Sequence, residues 1–239
     1  MDLEAIFEAI DAVDWDSFPS RRSDIGRTGA LLRALAGAST LNRAADAMTA
    51  LLDSALTDDL EGEIFPAAVE AAPILLDIVE HAHRRAGSAA LGLLFELLER
   101  PPDPSTARVG APGASGLRSC CAIADLVRGR RAVLSAHRDS GRRLLYLAAA
   151  HWRFEVREVL GTDAQGVGVF GVLTGRSPDR PRRAELLFDR GVLGIPEVEV
   201  ECRPEDESGE SFLLLIGIPE EFVAPGTFVA PWDCHGFEG

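Results

Sequence analysis

The chain has 239 residues, 46% of them hydrophobic and 26% charged, which suits a globular protein long enough for two domains and excludes disorder for its bulk. Its net charge of −14 argues against general binding to nucleic acid or anionic membrane, since both require a cationic surface. The acidic start MDLEAIFEAIDAVDWD lacks the basic flank of a secretory signal, and the longest apolar runs, near residues 89–95 and 144–150, are too short to span a bilayer. A cytoplasmic protein is therefore expected. Every one of the 24 cationic residues is arginine, and asparagine occurs once, at Asn42. Depletion of two residues that share A-rich codons points to genome composition. The four cysteines, with Cys120 and Cys121 adjacent, do not form a disulfide framework and are read as reduced thiols.

Leu3, Ile6, Phe7, Ile10 and Val13 fall at helical spacing, as do Leu41, Ala44, Ala45, Met48, Leu52, Ala55 and Leu56. Between them, after a turn over Ser17–Ser20, a short helix is predicted over Asp24–Gly37 with Asp24 available as cap. Pro66 suits a helix's first turn, and the pattern over residues 67–81 carries Pro73 inside it, which predicts a kink or a restart. Residues 88–98 are nearly all Ala, Leu, Gly or Phe and predict a helix buried on most sides. These short alanine- and leucine-rich helices resemble the hairpins of HEAT-like repeat proteins, although no constant period runs through them. The stretch from Arg100 to Gly116, with four prolines and three glycines, is predicted as a loop holding neither helix nor strand. Helical spacing then returns over residues 117–133 and 135–152, closing a helical domain at 1–152.

From residue 153 the apolar period drops to two, in Phe154–Leu160, Ala184–Phe188, Glu197–Glu201 and Ser211–Ile218, with Gly, Pro and Asp between the runs. Residues 167–176 (VGVFGVLTGR) and 212–231 (FLLLIGIPEEFVAPGTFVAP) read as strands of a small closed barrel. Together with FEVREVL at 154–160 they resemble the second domain of elongation factor Tu and its relatives, in which a strand ending in Thr-Gly-Arg precedes a late Gly-Ile and then Val-x-x-Gly-x-hydrophobic-hydrophobic-x-Pro. The matching positions are Thr174, Gly175, Arg176, Gly217, Ile218, Val223, Gly226, Phe228, Val229 and Pro231. The resemblance covers about 85 residues and implies a β-barrel domain over 153–239 that binds without catalysing, because the chemistry of those factors resides in a separate GTPase domain. The predicted fold class is thus α+β and multidomain, an irregular all-α region followed by a small antiparallel barrel.

Charge is distributed unevenly. Residues 1–100 carry 18 acids against 8 arginines, residues 101–160 carry 5 against 10, and residues 161–239 carry 15 against 6. A basic middle therefore lies between acidic ends. Arg118, Arg128, Arg131, Arg138, Arg142 and Arg143 form a candidate basic face, read first as a solvated helix surface or one that docks against the acidic barrel, and second as a phosphate-binding surface.

Several motifs are refused on context. Gly166, Gly168 and Gly171 complete a G-x-G-x-x-G, but no apolar strand precedes it and Pro178 and Pro181 follow where a dinucleotide fold needs a helix. Glycine-permitted barrel curvature is the favoured reading there. His137-Arg138-Asp139 has Leu144 where a kinase catalytic loop requires asparagine, and Ser115 in GASG lacks the last glycine of a nucleophile elbow. His81, His83, Cys120, Cys121, Cys202, Cys234 and His235 show no metal-ligand spacing. Trp15, Trp152 and Trp232 are expected in cores or packed between domains. No catalytic residue, metal site, cofactor or nucleotide site is predicted.

The first functional expectation is a non-catalytic protein that binds another protein, in its sharpest form a bacterial immunity-type protein neutralising a basic toxin; opposite fields would speed capture of such a partner. The alternative is a translation-associated adaptor whose barrel touches RNA or a translation factor, with the basic segment 118–157 supplying phosphate contacts. An enzyme acting on a small molecule ranks last.

Overall fold

The computed structural model describes residues 3–18, 27–57, 63–100, 108–111, 114–163, 165–188, 191–202 and 208–234. The chain divides into two compact units, Met1–Val109 with Arg118–Leu147, and Gly110–Leu117 with Ala148–Gly239. The fold is α+β: helices build the first unit and a closed six-stranded antiparallel barrel dominates the second. Among the described residues, no helix is long and apolar enough to cross a membrane.

In the helical unit α1 (Leu3–Asp11) buries Ile6 and Ile10, and the following turn buries Trp15, whose indole N–H donates to the Ile10 carbonyl at 2.9 Å. Next comes α2 (Thr28–Ala36), which covers the later part of the helix predicted from Asp24; Asp24 and the end of the Ser17–Ser20 turn lie outside the described residues. Helix α3 (Leu41–Leu51) starts at Thr40, whose hydroxyl accepts from the Arg43 amide, and widens into one π turn over Leu52–Leu56. Pro66 precedes α4 (Ala67–His81). Of the kink or restart predicted at Pro73 the restart does not occur: the helix continues through the proline, with Ala71, Ala72, Ile74 and Leu75 buried on both sides of it. Helix α5 (Arg84–Glu99) packs against α3 and α4, burying Leu93, Leu94, Leu97 and Leu98.

The segment 100–116 departs from its prediction as a structureless loop. It contains most of a two-stranded sheet, β1 (Arg108–Ala111) with β2 (Ala114–Arg118). All four prolines of the segment, at 101, 102, 104 and 112, fall outside these strands, so each strand keeps its full set of N–H donors. The two helices predicted beyond it are three: α6 (Ser119–Gly129), α7 (Arg131–Ala136) and α8 (Arg138–Ala150). The last break is sharp. Arg138 has a φ of 50°, and a Cβ on Gly141 would lie 1.8 Å from the Leu134 carbonyl oxygen, so the approach of the first turn of α8 to the end of α7 has room only for a glycine.

The barrel closes in the order β3–β4–β7–β6–β5–β8, from β3 (Arg153–Thr162), β4 (Val167–Thr174), β5 (Arg182–Phe188), β6 (Gly191–Cys202), β7 (Ser208–Ile216) and β8 (Phe228–Pro231). Every pair is antiparallel, and closure leaves no long free edge. Alternate residues such as Phe154, Val156, Val169, Leu186, Leu213 and Val229 point inward to one core, which Trp152 joins. Strand β4 stops two residues short of its prediction because Gly175 takes a φ of 93° and the Arg176 amide leaves the ladder to donate to Ala149. Strand β6 starts six residues earlier than predicted. Pro196 concealed it, and that proline sits where the β5–β6 register shifts and a missing N–H is tolerated.

Candidate functional site

The six arginines of the predicted basic face differ in exposure and in surroundings. Arg118 ends β2 and is half-buried, whereas Arg131 and Arg138, opening α7 and α8, are exposed. Arg128 is only 9% exposed and pairs with Asp125 one turn earlier on α6. Arg142 pairs with Asp139 at 2.6 Å, and Arg143 lies over the Phe95 ring, 5.5 Å from its centroid, and 3.8 Å from Glu99. Arg128, Arg142 and Arg143 thus lie against acidic groups of their own unit.

Sequence reasoning passed over Arg130, which forks onto Asp77 at 2.8 Å and Glu80 at 2.9 Å on α4. His81 completes a group of three ligand-type side chains with those two acids, but the guanidinium already neutralises both carboxylates. His83 accepts from the Arg85 amide as the cap of α5. Cys120, Cys121 and Cys234 are buried and not disulfide-bonded, and His235 lies outside the described residues.

The G-x-G-x-x-G runs into strand β4, with no helix after it. A Cβ on Gly166 would approach the Leu215 carbonyl oxygen to 2.4 Å, and one on Gly171 would approach that of Glu155 to 2.0 Å. Two of the three glycines are therefore required by close strand approach within the barrel. His137 and Asp139 flank the turn between α7 and α8, and Ser115 lies in β2. Trp15 and Trp152 are buried as expected, whereas Trp232 is 38% exposed.

The outer face of the barrel carries an exposed apolar group. Val169 and Leu213 point into the core, so Phe170 and Phe212, one residue along on paired strands, point out; they are register partners with ring centroids 5.0 Å apart. Phe212 is 37% exposed, and Leu160, 53% exposed, stands beside Gly168 on the same face. Acids border this apolar group: Glu158 faces Phe170 across β3–β4, Glu199 faces Leu214 across β6–β7, and Glu210 is one pleat away on β7. The continuous run VGVFGVL hid Phe170, because outward and inward positions there are equally apolar.

A second feature lies elsewhere on the barrel. Arg180, Arg182 and Arg183 line a cleft of about 390 Å³ with Trp232 and Asp233. The −9 balance of residues 161–239 masked this cluster in the sequence, although DRPRR at 179–183 is its local signal.

Comparison of the chain with models of known protein families and with curated proteins gives no match.

Proposed function

We propose that this chain is a non-catalytic protein-binding protein, acting as a bacterial immunity-type protein that neutralises a basic toxin. The observation that carries the reading is the Phe170–Phe212 pair, held at the surface among Glu158, Glu199 and Glu210. Exposed aromatic side chains on a rigid sheet lose little entropy on binding and serve well as interface anchors, while a ring of carboxylates selects a cationic partner. Two further points support it. The barrel sequence resembles the second domain of elongation factor Tu, a module that binds without catalysing, and the preceding helices resemble HEAT-like hairpins, which commonly present protein-binding surfaces. The net charge of −14 favours capture of a basic protein.

The adaptor reading draws on the arginines of segment 118–157, of which Arg128, Arg142 and Arg143 are engaged with Asp125, Asp139 and Glu99. Capture of partners from a native extract on the full chain, with and without RNase, separates the two. A basic protein retained in both conditions, and lost from the Phe212→Asp variant, is the expected result. Recovery of RNA or ribosomal components that disappear with RNase, with no basic protein retained, would replace the immunity reading with the adaptor.

A further inference from the structure

The cleft lined by Arg180, Arg182 and Arg183 lies on a unit that is otherwise acidic, with 15 acids against 6 arginines over residues 161–239. Half of those six arginines fall within four consecutive positions. Their placement is fixed by the barrel rather than by a mobile tail. Arg182 and Arg183 open β5, which pairs with β8 so that Ala184 faces Pro231 and the Trp232 amide donates to the Arg183 carbonyl at 3.2 Å. The Arg183 guanidinium sits 4.8 Å from the centroid of the Trp232 ring. That ring in turn rests on Gly194 of β6, where an added Cβ would come within 3.2 Å of its Cζ3 atom. Glycine therefore makes room for the indole, and the indole orients Arg183. Among the described residues, Arg180 and Arg182 have no ion-pair partner, unlike Arg128, Arg130, Arg142 and Arg143 of the helical unit.

Three arginines and one aspartate line this cleft, so cationic side chains outnumber acids there. A guanidinium offers a planar fork of N–H donors that matches the oxygens of a phosphoryl group two at a time. A cleft of about 390 Å³ exceeds the space one phosphate needs and suits two joined phosphoryl groups or a phosphorylated small molecule. We propose that the cleft formed by Arg180, Arg182, Arg183 and Trp232 is a binding site for a small anion bearing two linked phosphoryl groups. The site is separate from the Phe170–Phe212 face and does not depend on the protein-binding reading.

The test is a titration of the full chain with inorganic pyrophosphate, followed through the indole N–H resonance of Trp232, which the Trp232→Phe variant assigns. Sulfate at equal ionic strength and citrate run in parallel. The expected result is a saturable shift with pyrophosphate, at least about tenfold tighter than with sulfate or citrate, and weakened about tenfold or more in both Arg182→Ala and Arg180→Ala. Arg180→Ala lies outside the strands and keeps the test sound if Arg182→Ala disturbs the barrel. Arg142→Ala, in the helical unit, should leave the shift unchanged. A linear, non-saturating response, equal responses to pyrophosphate and sulfate, or unaltered binding in both cleft variants would overturn the proposal. So would binding of a single-stranded oligonucleotide at this resonance with no saturable response to pyrophosphate, which would assign the cleft to a macromolecule.

Discussion

A Cβ placed on Gly171 would lie 2.0 Å from the carbonyl oxygen of Glu155 on the neighbouring strand, and 2.8 Å from the edge of the Phe154 ring. Backbone cannot yield as a side chain can, so Gly171→Ala should push β4 away from β3 and cost about 2–4 kcal/mol. Gly168→Ala is the matched control, since its nearest neighbour would be 3.8 Å away. Denaturant unfolding followed by circular dichroism checks this, and equal midpoints for the two variants would show that the glycine at 171 is not needed for closure. A phosphate-release assay with GTP and magnesium should show no turnover by the unsubstituted chain, because the glycines of this motif serve strand packing and the chain has no lysine for a phosphate-cradling catalytic loop.

The barrel was legible in sequence where polar and apolar residues alternate, as in FEVREVL, and where glycine marked a strand end, as at Gly175 and Gly217 with φ of 93° and 78°. It was illegible where both faces of a strand are apolar, so Phe170 gave no sign that it points outward. The start of β6 was hidden for a different reason: a proline normally argues against a strand, and only the three-dimensional register shows that Pro196 occupies an irregularity. The break between α7 and α8 was equally hidden, because Gly141 reads as a mild helix weakener until its distance from Leu134 is known. Segment sums of charge placed six arginines in one class, yet Arg128 is largely buried against Asp125 whereas Arg131 is exposed. Pairing depends on neighbours that a charge count cannot see.

Arg130 joins the loop between α6 and α7 to α4 through Asp77, whose side chain is only 13% exposed, and through Glu80. Arg130→Ala would leave the Asp77 carboxylate poorly solvated and without this partner, and should destabilise the helical unit by about 1–2 kcal/mol, the exposure of the arginine itself limiting the loss. Asp77→Ala in the same background tests the cause. A double-mutant cycle should return a coupling of about 0.5–1.5 kcal/mol, whereas additive effects would show that the pair contributes nothing to stability.

Residues 148–239 expressed alone should give a β-type circular dichroism spectrum. The compact unit takes in Ala148 onward because Trp152 packs in the barrel core and the Ala149 carbonyl accepts from the Arg176 amide at 2.6 Å. A fragment starting at residue 153 lacks both and should unfold at lower denaturant, by the equivalent of about 3 kcal/mol for a missing core tryptophan. Should the two fragments be equally stable, Trp152 would not belong to the barrel's core in solution.

Association with the partner is expected to depend on salt through its rate. Residues 161–239 carry a net charge of −9, and Glu158, Glu199 and Glu210 border the apolar group at Phe212. A basic protein approaching that face is steered by fields that reach about 10 Å at 0.1 M salt and about 3 Å at 1 M. The association rate should therefore fall as salt rises, while dissociation, governed by the buried aromatic contact, changes little. The two classes of variant should divide in the same way. Glu158→Gln with Glu210→Gln should slow association and flatten its salt dependence, whereas Phe212→Ala should leave the association rate nearly unchanged and speed dissociation by about tenfold, as expected for loss of an interface anchor worth about 1.4 kcal/mol. Surface plasmon resonance against the captured partner resolves both rates. If Phe212→Ala left dissociation unaltered while the charge variants abolished binding, the carboxylates alone would form the contact and the aromatic pair would have no part in it.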